Sequence, residues 1–197
     1  VIFVVPAVGR VAGSTIGGVV VYTVGHSTRA IGDFIALLSD AGVTRIVDVR
    51  RFPMSRRHPQ FNRDALAASL AAAGIDYRHM PELGGRRHGV KGARSRNGLW
   101  KVDAFRHYAD YAETAAFAAA LDVLEALARE RPTAYMCAEA VWWQCHRRLI
   151  TDYLIVRGWR VVHLLGPGQR QDATLTPGAV PQPDRTIAYP PSQPDLL

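Results

Sequence analysis

The residues best suited to chemistry in this chain share one window, 134–149, which reads AYMCAEAVWWQCHRRL. It holds both cysteines, Cys137 and Cys145, with Glu139 between them and His146, Arg147 and Arg148 directly after. A nucleophile, an acid/base group and an anion binder lie closer together here than anywhere else, so the window reads as the floor of a functional site. Cys145-His146-Arg147 falls where a helix is expected to open. Free N–H groups and the positive dipole end there favour an anion and lower the pKa of a thiol. Arg147, or Arg50 from an earlier segment, offers the planar fork that grips phosphate or carboxylate.

Three chemistries compete for these residues. A thiolate at Cys137 or Cys145 would serve a phosphatase- or sulfurtransferase-like enzyme, but such sites need a tight loop of N–H groups around the oxyanion. The eight-residue step between the cysteines, with Trp142 and Trp143 inside it, suits that loop poorly. Cys137, behind Tyr135 and Met136, also has the look of a core residue. Zinc ligation by Cys137, Cys145, His146 and His26 has the right donor types, but the spacing matches no usual ligand pair. No metal and no cofactor are therefore assigned. A carboxylate site built from Asp48, Glu82 and Glu139 among arginines would suit hydrolysis or transfer at a glycosidic or phosphodiester bond.

Positioning these groups requires a scaffold, and the chain alternates strand and helix about five times. Short β-branched or apolar runs at 19–24, 43–49, 75–80, 133–137 and 159–165 read as strands. Helical periodicity follows Ile31, the Asn62 cap and the segment 104–129, the last divided near Glu113-Thr114, and returns over 146–157. This predicts a single three-layer αβα domain over 18–165 with a mostly parallel sheet of about five strands. Gly25-His26-Ser27, Asp48-Val49-Arg50, His79 with Glu82, and Cys137 with Glu139 each lie just past a strand. Open α/β sheets bind ligands at that edge, so the four groups are expected to converge.

Residues 1–17 are apolar but interrupted by Pro6, Arg10 and glycines, and are expected to form a poorly ordered extension outside the fold. No segment there reads as a signal peptide or as the roughly 18 apolar residues a membrane span needs. The tail from 166 is rich in proline and is expected to wrap the surface without adding a packed element. Two cysteines in 197 residues do not make a disulfide framework, which fits a reducing cytoplasmic setting. The formal charge of +7 is carried almost wholly by arginine, Lys91 and Lys101 being the only lysines. Arginine favours phosphate and nucleic acid, although net charge by itself speaks only to non-specific binding. Basic loops with interleaved aromatics (Arg50-Arg51 with Phe52, Arg56-Arg57 before Phe61, Arg86-Arg87, and Arg94 to Arg96 before Trp100) add a surface of the kind that tracks a backbone and stacks bases.

Taken together, several motifs resemble the bacterial and archaeal family called domain of unknown function 488 (DUF 488). They are Gly25-His26-Ser27, Asp48-Val49-Arg50 with Pro53 and Ser55-Arg56, Gln60-Phe61-Asn62, Tyr77 and His79 before Glu82-Leu83-Gly84-Gly85, Cys137-Ala138-Glu139 with Cys145-His146-Arg147, and Tyr189-Pro190. The resemblance spans about 22–191 and implies an α/β fold without fixing an activity. A fainter likeness to rhodanese-like domains rests on a strand ending in Asp-Val-Arg and a later one ending in cysteine, but the loop here is longer and Arg147 lies too far along.

The leading expectation is an enzyme that hydrolyses or transfers a group on a phosphate-bearing small molecule or nucleic acid. His26, His146, Glu139 and Asp48 would be its catalytic groups, Arg50, Arg56 and Arg147 its anion binders, and Ser27, Glu82, Gly84 and Gly85 further substrate contacts. The loop 83–100 would cover the site. The alternatives are a non-catalytic nucleic-acid-binding module and a Cys-dependent rhodanese- or phosphatase-like enzyme.

Overall fold

The structure is a computed structural model that describes residues 19–90, 92 and 94–191. The expectation for residues 1–17 lies outside them. Six strands form one sheet in the order β3-β2-β4-β1-β5-β6. β1 (Val20–Gly25), β2 (Arg45–Asp48), β3 (Asp76–His79), β4 (Thr133–Cys137) and β5 (Arg160–Gly166) run parallel. These are the five strands expected from the β-branched runs. β2 and β4 are buried along their whole length, as a sheet covered on both faces demands.

The helices divide between the two faces by the parity of the strand residues they cover. Val24, Ile46, Ala134, Met136 and Leu164 face α1 (Ile31–Asp40) and α2 (Arg63–Ala72), burying Phe34, Leu38, Leu66 and Leu70. Val21, Val47, Tyr135 and Val161 face α3 (Asp103–Ala112), α4 (Ala115–Glu130) and α5 (Arg147–Val156). The result is the expected αβα sandwich. Thr114 does divide the long helical stretch, its hydroxyl accepting from Phe117 N at 3.3 Å to cap α4. Asn62 precedes α2 but its side chain does not cap it. Asn62 Oδ1 instead accepts Ser55 N at 2.6 Å and ties down the loop after β2.

The crossovers leaving β1 and β2 run over one face and those leaving β3 and β4 over the other. The carboxyl ends of β1, β4 and β2, adjacent in that order, therefore flank the point where the chain diverges, which is where a crevice must open.

The tail does add packed structure. β6 (Gln169–Asp172) turns back antiparallel to β5, and β7 (Val180–Pro181) pairs with β8 (Ile187–Ala188). Ile187 and Tyr189 are fully buried. Tyr189 Oη donates to Asp152 Oδ2 at 2.9 Å on α5, while Asn97 Oδ1 accepts Tyr189 N at 2.9 Å, so the tail stitches the loop before α3 to α5. Tyr189→Phe keeps the ring and removes one buried bond to a carboxylate. We expect a loss of about 1–3 kcal/mol in urea denaturation and faster amide exchange across 180–190. Unchanged exchange there would show that ring packing alone holds the tail.

Candidate active site

Gly25 ends β1 and determines how closely the next segment can approach. A Cβ at this position would stand 1.8 Å from Glu139 O, so only glycine lets the chain after β4 cross here. Sheet-like bonding then continues past both strands: His26 N donates to Cys137 O at 3.0 Å and Ser27 N to Ala138 O at 2.9 Å. Val49 N donates to Met136 O at 3.0 Å, carrying the end of β2 to the same place. The first, second and fourth groups named from the sequence thus meet at one sheet edge, with the third beside them through the 2.9 Å contact of His79 Nε2 with Arg50 O.

A cleft of about 700 Å³ opens on this edge. Its floor is Cys137, Cys145 and His146, and its walls include His26, Ser27, Glu139, Gly85, Phe105 and Tyr108. Arg51, Phe52, Met54, His58 and Arg86 surround the opening. Of the three non-glycine residues with positive φ among the described residues, Ser27 and Arg86 both line this cleft. Backbone held in that sparsely populated region tends to collect at ligand sites.

Behind the wall lies a saturated polar knot. Asp48, fully buried, accepts Arg50 Nε at 2.9 Å, Arg50 Nη2 at 2.6 Å and Tyr77 Oη at 2.8 Å. Arg50 Nη2 also reaches Phe61 O at 2.8 Å, and its Nη1 contacts His26 Nε2 at 3.2 Å. A guanidinium only donates, so His26 Nε2 must accept. The ring proton is then on Nδ1, which donates to Ser27 O at 2.8 Å. Burial, with the nearby Arg50 charge adding to it against the Ser27 bond, pushes the His26 pKa down to about 4, and the ring is neutral and stacked 4.1 Å from Phe61.

The residues singled out from the sequence therefore separate into several groups. His26, Ser27, Glu139, Gly85, His146, Cys137 and Cys145 line the cleft. Asp48 and Arg50 form the knot behind it, with Arg50 reaching the lining and Asp48 not. Arg147 does not line the cleft at all. It is 1% exposed, with Nη1 donating to Thr23 Oγ1 at 3.0 Å and Nη2 to Glu139 O at 2.6 Å, which corrects its expected place as a ligand-facing group. The reason is helical geometry: on α5 the residue after His146 is turned about 100° away from it. Arg56 borders a separate shallow hollow with Met54, Ser55, Pro59 and Asn62. Glu82 contributes its backbone carbonyl to Arg87 and Tyr111, and Gly84 is packed against the Arg51 backbone. Among the described residues of the loop 83–100, Gly85 and Arg86 reach the cleft, while Asn97 ties the loop to α3, its amide donating to Asp110 and Glu113 at 2.8 Å each.

Arg51 and Arg86 are the cleft cations missing from the expected anion binders. Both belong to the basic loops read as a nucleic-acid surface. The alternation of side chains past β2 carried the missing signal: Arg50 turns in to Asp48, so Arg51 must turn out. Neither Arg51 nor Arg86 has an ion-pair partner among the described residues.

On the floor, His146 Nδ1 is 3.6 Å from Cys145 Sγ and 3.9 Å from Cys137 Sγ, while Nε2 is 3.2 Å from Val49 O. The carbonyl can only accept, so Nε2–H donates to it and Nδ1 is directed at both sulfurs. Burial opposes ionisation of Cys145, but the Cys137 thiol donating to it, with His146 and Arg147 nearby, holds its pKa well below that of an ordinary thiol. The hydrogen bond to Cys145, together with burial, holds Cys137 well above. Cys137 and Cys145 lack the linear spacing expected of metal ligands, yet the 3-10 turn Trp142–Gln144 folds Cys145 back toward Cys137, so both sulfurs and a ring nitrogen of His146 lie within 4.8 Å of one another.

Fold and site together define a three-layer α/β protein with a Cys/His-floored, basic cleft at the carboxyl edge of its parallel sheet. The chain belongs to the family described as domain of unknown function DUF488, whose model matches residues 30–154. That span contains Arg51, Gly85, Arg86, Cys137, Cys145 and His146 and stops short of His26 and the tail. No curated protein and no solved structure matches the chain. Among the described residues, no helix is long and apolar enough to cross a membrane.

Proposed function

We propose that this protein is an enzyme that binds a phosphate-bearing substrate, a nucleotide or a segment of nucleic acid, in the cleft and hydrolyses or transfers a group on it. The observation that carries this reading is the charge of the cleft. Among the described residues Arg51 and Arg86 have no ion-pair partner, and Glu139 is the one acidic side chain in the lining. Low-dielectric walls lined by one sign of charge concentrate the opposite sign. Phe52 and Met54, both exposed at the opening, add apolar faces of the kind on which a base stacks. The reacting groups would come from the Cys137, Cys145 and His146 floor, since the Asp48 carboxylate is already saturated by Arg50 and Tyr77.

Inorganic phosphate, a nucleoside monophosphate and a short single-stranded oligonucleotide, titrated at low and moderate salt, test this reading. Binding should weaken as salt rises. Arg51→Ala and Arg86→Ala should each lower affinity about tenfold or more, the loss of one charge-assisted hydrogen bond. Absence of binding at low salt, or full affinity in the double variant, sinks the proposal. Binding with no turnover of any nucleotide or oligonucleotide would instead favour a binding module.

A second reading is Cys-dependent transfer, supported by the 3.6 Å approach of Cys145 Sγ to His146 Nδ1, a thiol beside its base. Two thiols that stay unlabelled by iodoacetamide at neutral pH in the metal-free native protein would remove it.

A further inference from the structure

Cys137, Cys145 and His146 bring two sulfurs and one ring nitrogen within 4.8 Å of one another. They come from two separately anchored places: the end of β4, and the Cys145-His146 pair between the 3-10 turn and α5. A tetrahedral centre with Zn–S near 2.3 Å and Zn–N near 2.0–2.1 Å has S···N edges of roughly 3.5 Å and an S···S edge of roughly 3.8 Å. The observed S···N separations are 3.6 and 3.9 Å. With all three atoms within 4.8 Å of one another, closing onto an ion would ask each to move by about half an ångström or less.

The surroundings of His146 fit the same assignment. A ligating imidazole donates its other N–H to a carbonyl or carboxylate, which fixes the tautomer and aims the free nitrogen at the metal. Nε2–H donates to Val49 O at 3.2 Å, leaving Nδ1 aimed between the sulfurs. Space on that side is kept by Gly85, where a Cβ would lie 3.0 Å from His146 Nδ1. Two thiolates and a dication sum to zero charge, a favourable outcome in a site whose two cysteines are both buried. Soft thiolates with one imidazole select zinc over the oxygen-seeking cations.

We propose that Cys137, Cys145 and His146 bind one zinc-class divalent ion as a three-ligand site whose fourth position opens on the cleft. Among the described residues no fourth His, Cys, Asp or Glu joins the group, and all three ligands line the cleft, so the fourth ligand comes from water or substrate. That is the arrangement of catalytic sites; structural ones close with four protein ligands. Binding releases the two thiol protons to solvent. A water in the fourth position ionises nearer neutrality, its proton also leaving to solvent, and provides a hydroxide on the cleft floor. The role of that hydroxide toward a phosphate-bearing substrate rests on the function proposed above; the ion itself does not.

The test uses the whole chain, purified under reducing conditions without chelator, then stripped and titrated with Co²⁺. We expect one equivalent of zinc as isolated. We also expect one equivalent of cobalt to bind with an intense thiolate-to-cobalt charge-transfer band and the strong visible bands of a tetrahedral ion, and to be displaced by zinc. Cys137→Ser, Cys145→Ser and His146→Gln should each weaken binding about a hundredfold or more, because losing a ligand costs at least as much as losing a group that merely orients one. A wild-type chain that takes up no stoichiometric cobalt with that band overturns the proposal, whether or not the variants fold. So do variants that bind as tightly as wild type. Phosphate titration of the stripped protein separates the two readings: phosphate binding without metal uptake removes the metal site and keeps the anion cleft, and metal uptake without phosphate binding does the reverse.

Discussion

Gly25→Ala is expected to cost at least about 3 kcal/mol, a large share of the roughly 5–15 kcal/mol that holds a domain of this kind together. The added methyl would sit 1.8 Å from Glu139 O and 2.7 Å from Glu139 C, and both are backbone atoms. Backbone cannot rotate away as a long side chain does. The carbonyl is also held in place, because Arg147 Nη2 donates to it at 2.6 Å, and that guanidinium is buried and anchored to Thr23. The register of β1 against β4 is fixed on the same edge by the bonds from His26 N to Cys137 O and from Ser27 N to Ala138 O. Relief would therefore have to come from parting the two strands, which also moves Cys137 off the cleft floor. Gly32→Ala in α1 is the matched control: nothing lies within 4 Å of its Cβ, and alanine in a helix is expected to be neutral or to stabilise by up to about 1 kcal/mol. Urea denaturation of both variants checks this. A Gly25→Ala protein as stable as Gly32→Ala would mean that the crossing is looser than the close approach implies.

The same crossing explains what could be read from the residues alone. Four of the five parallel strands were legible as apolar or β-branched runs; β3, reading DYRH, was the weakest, marked only by the buried Ile75 and Met80 at its two ends. The strands' carboxyl ends were legible as a site because one sheet edge collects every strand end in a parallel fold. β6 was not legible. Gln169, Arg170, Gln171 and Asp172 are all exposed on an edge strand, so no face is buried and no alternation marks them. Tyr189 was seen as part of a motif, but its burial depends on Asn97 and Asp152, far away in sequence.

Side-chain direction decided the rest. His146 and Arg147 are adjacent in the chain, yet one faces the cleft and the other the core, because successive helical positions point apart. Arg50 and Arg51 divide in the same way after β2. A pattern of residue types locates such pairs without saying which member is turned outward. Nor does linear spacing reveal that a 3-10 turn folds Cys145 beneath Cys137. Motif spacings for metal ligands describe hairpins and single helices, and this site is assembled from a strand end and a helix start.

Acidification from pH 6.5 to pH 4 is expected to remove a large share of the stability through two buried histidines. Burial pushes both His26 and His163 down to about 4, and each sits near an arginine, Arg50 and Arg147 respectively, that disfavours a second positive charge. In the unfolded chain both would titrate near 6.5. Below that value the unfolded state binds protons that the native state refuses, so stability is full above about pH 6.5 and falls as the pH drops toward 4. The loss approaches about 3 kcal/mol for each histidine, with roughly 2 kcal/mol of it already present by pH 5. His163 allows the effect to be isolated. Its ring is stacked 4.2 Å from Trp142, and neither nitrogen has a hydrogen-bond partner among the described residues, so an apolar side chain loses no bond there. His163→Leu should leave the fold intact at pH 7.5 and cut the pH-dependent loss by about half, read as urea midpoints from pH 4.5 to 7.5 at constant ionic strength. His26 is a poor choice for the same test, since its ring also accepts from Arg50 and packs on Phe61. A His163→Leu profile running parallel to wild type would mean that the ring is not held neutral by burial, leaving His26 as the buried histidine behind the acid sensitivity.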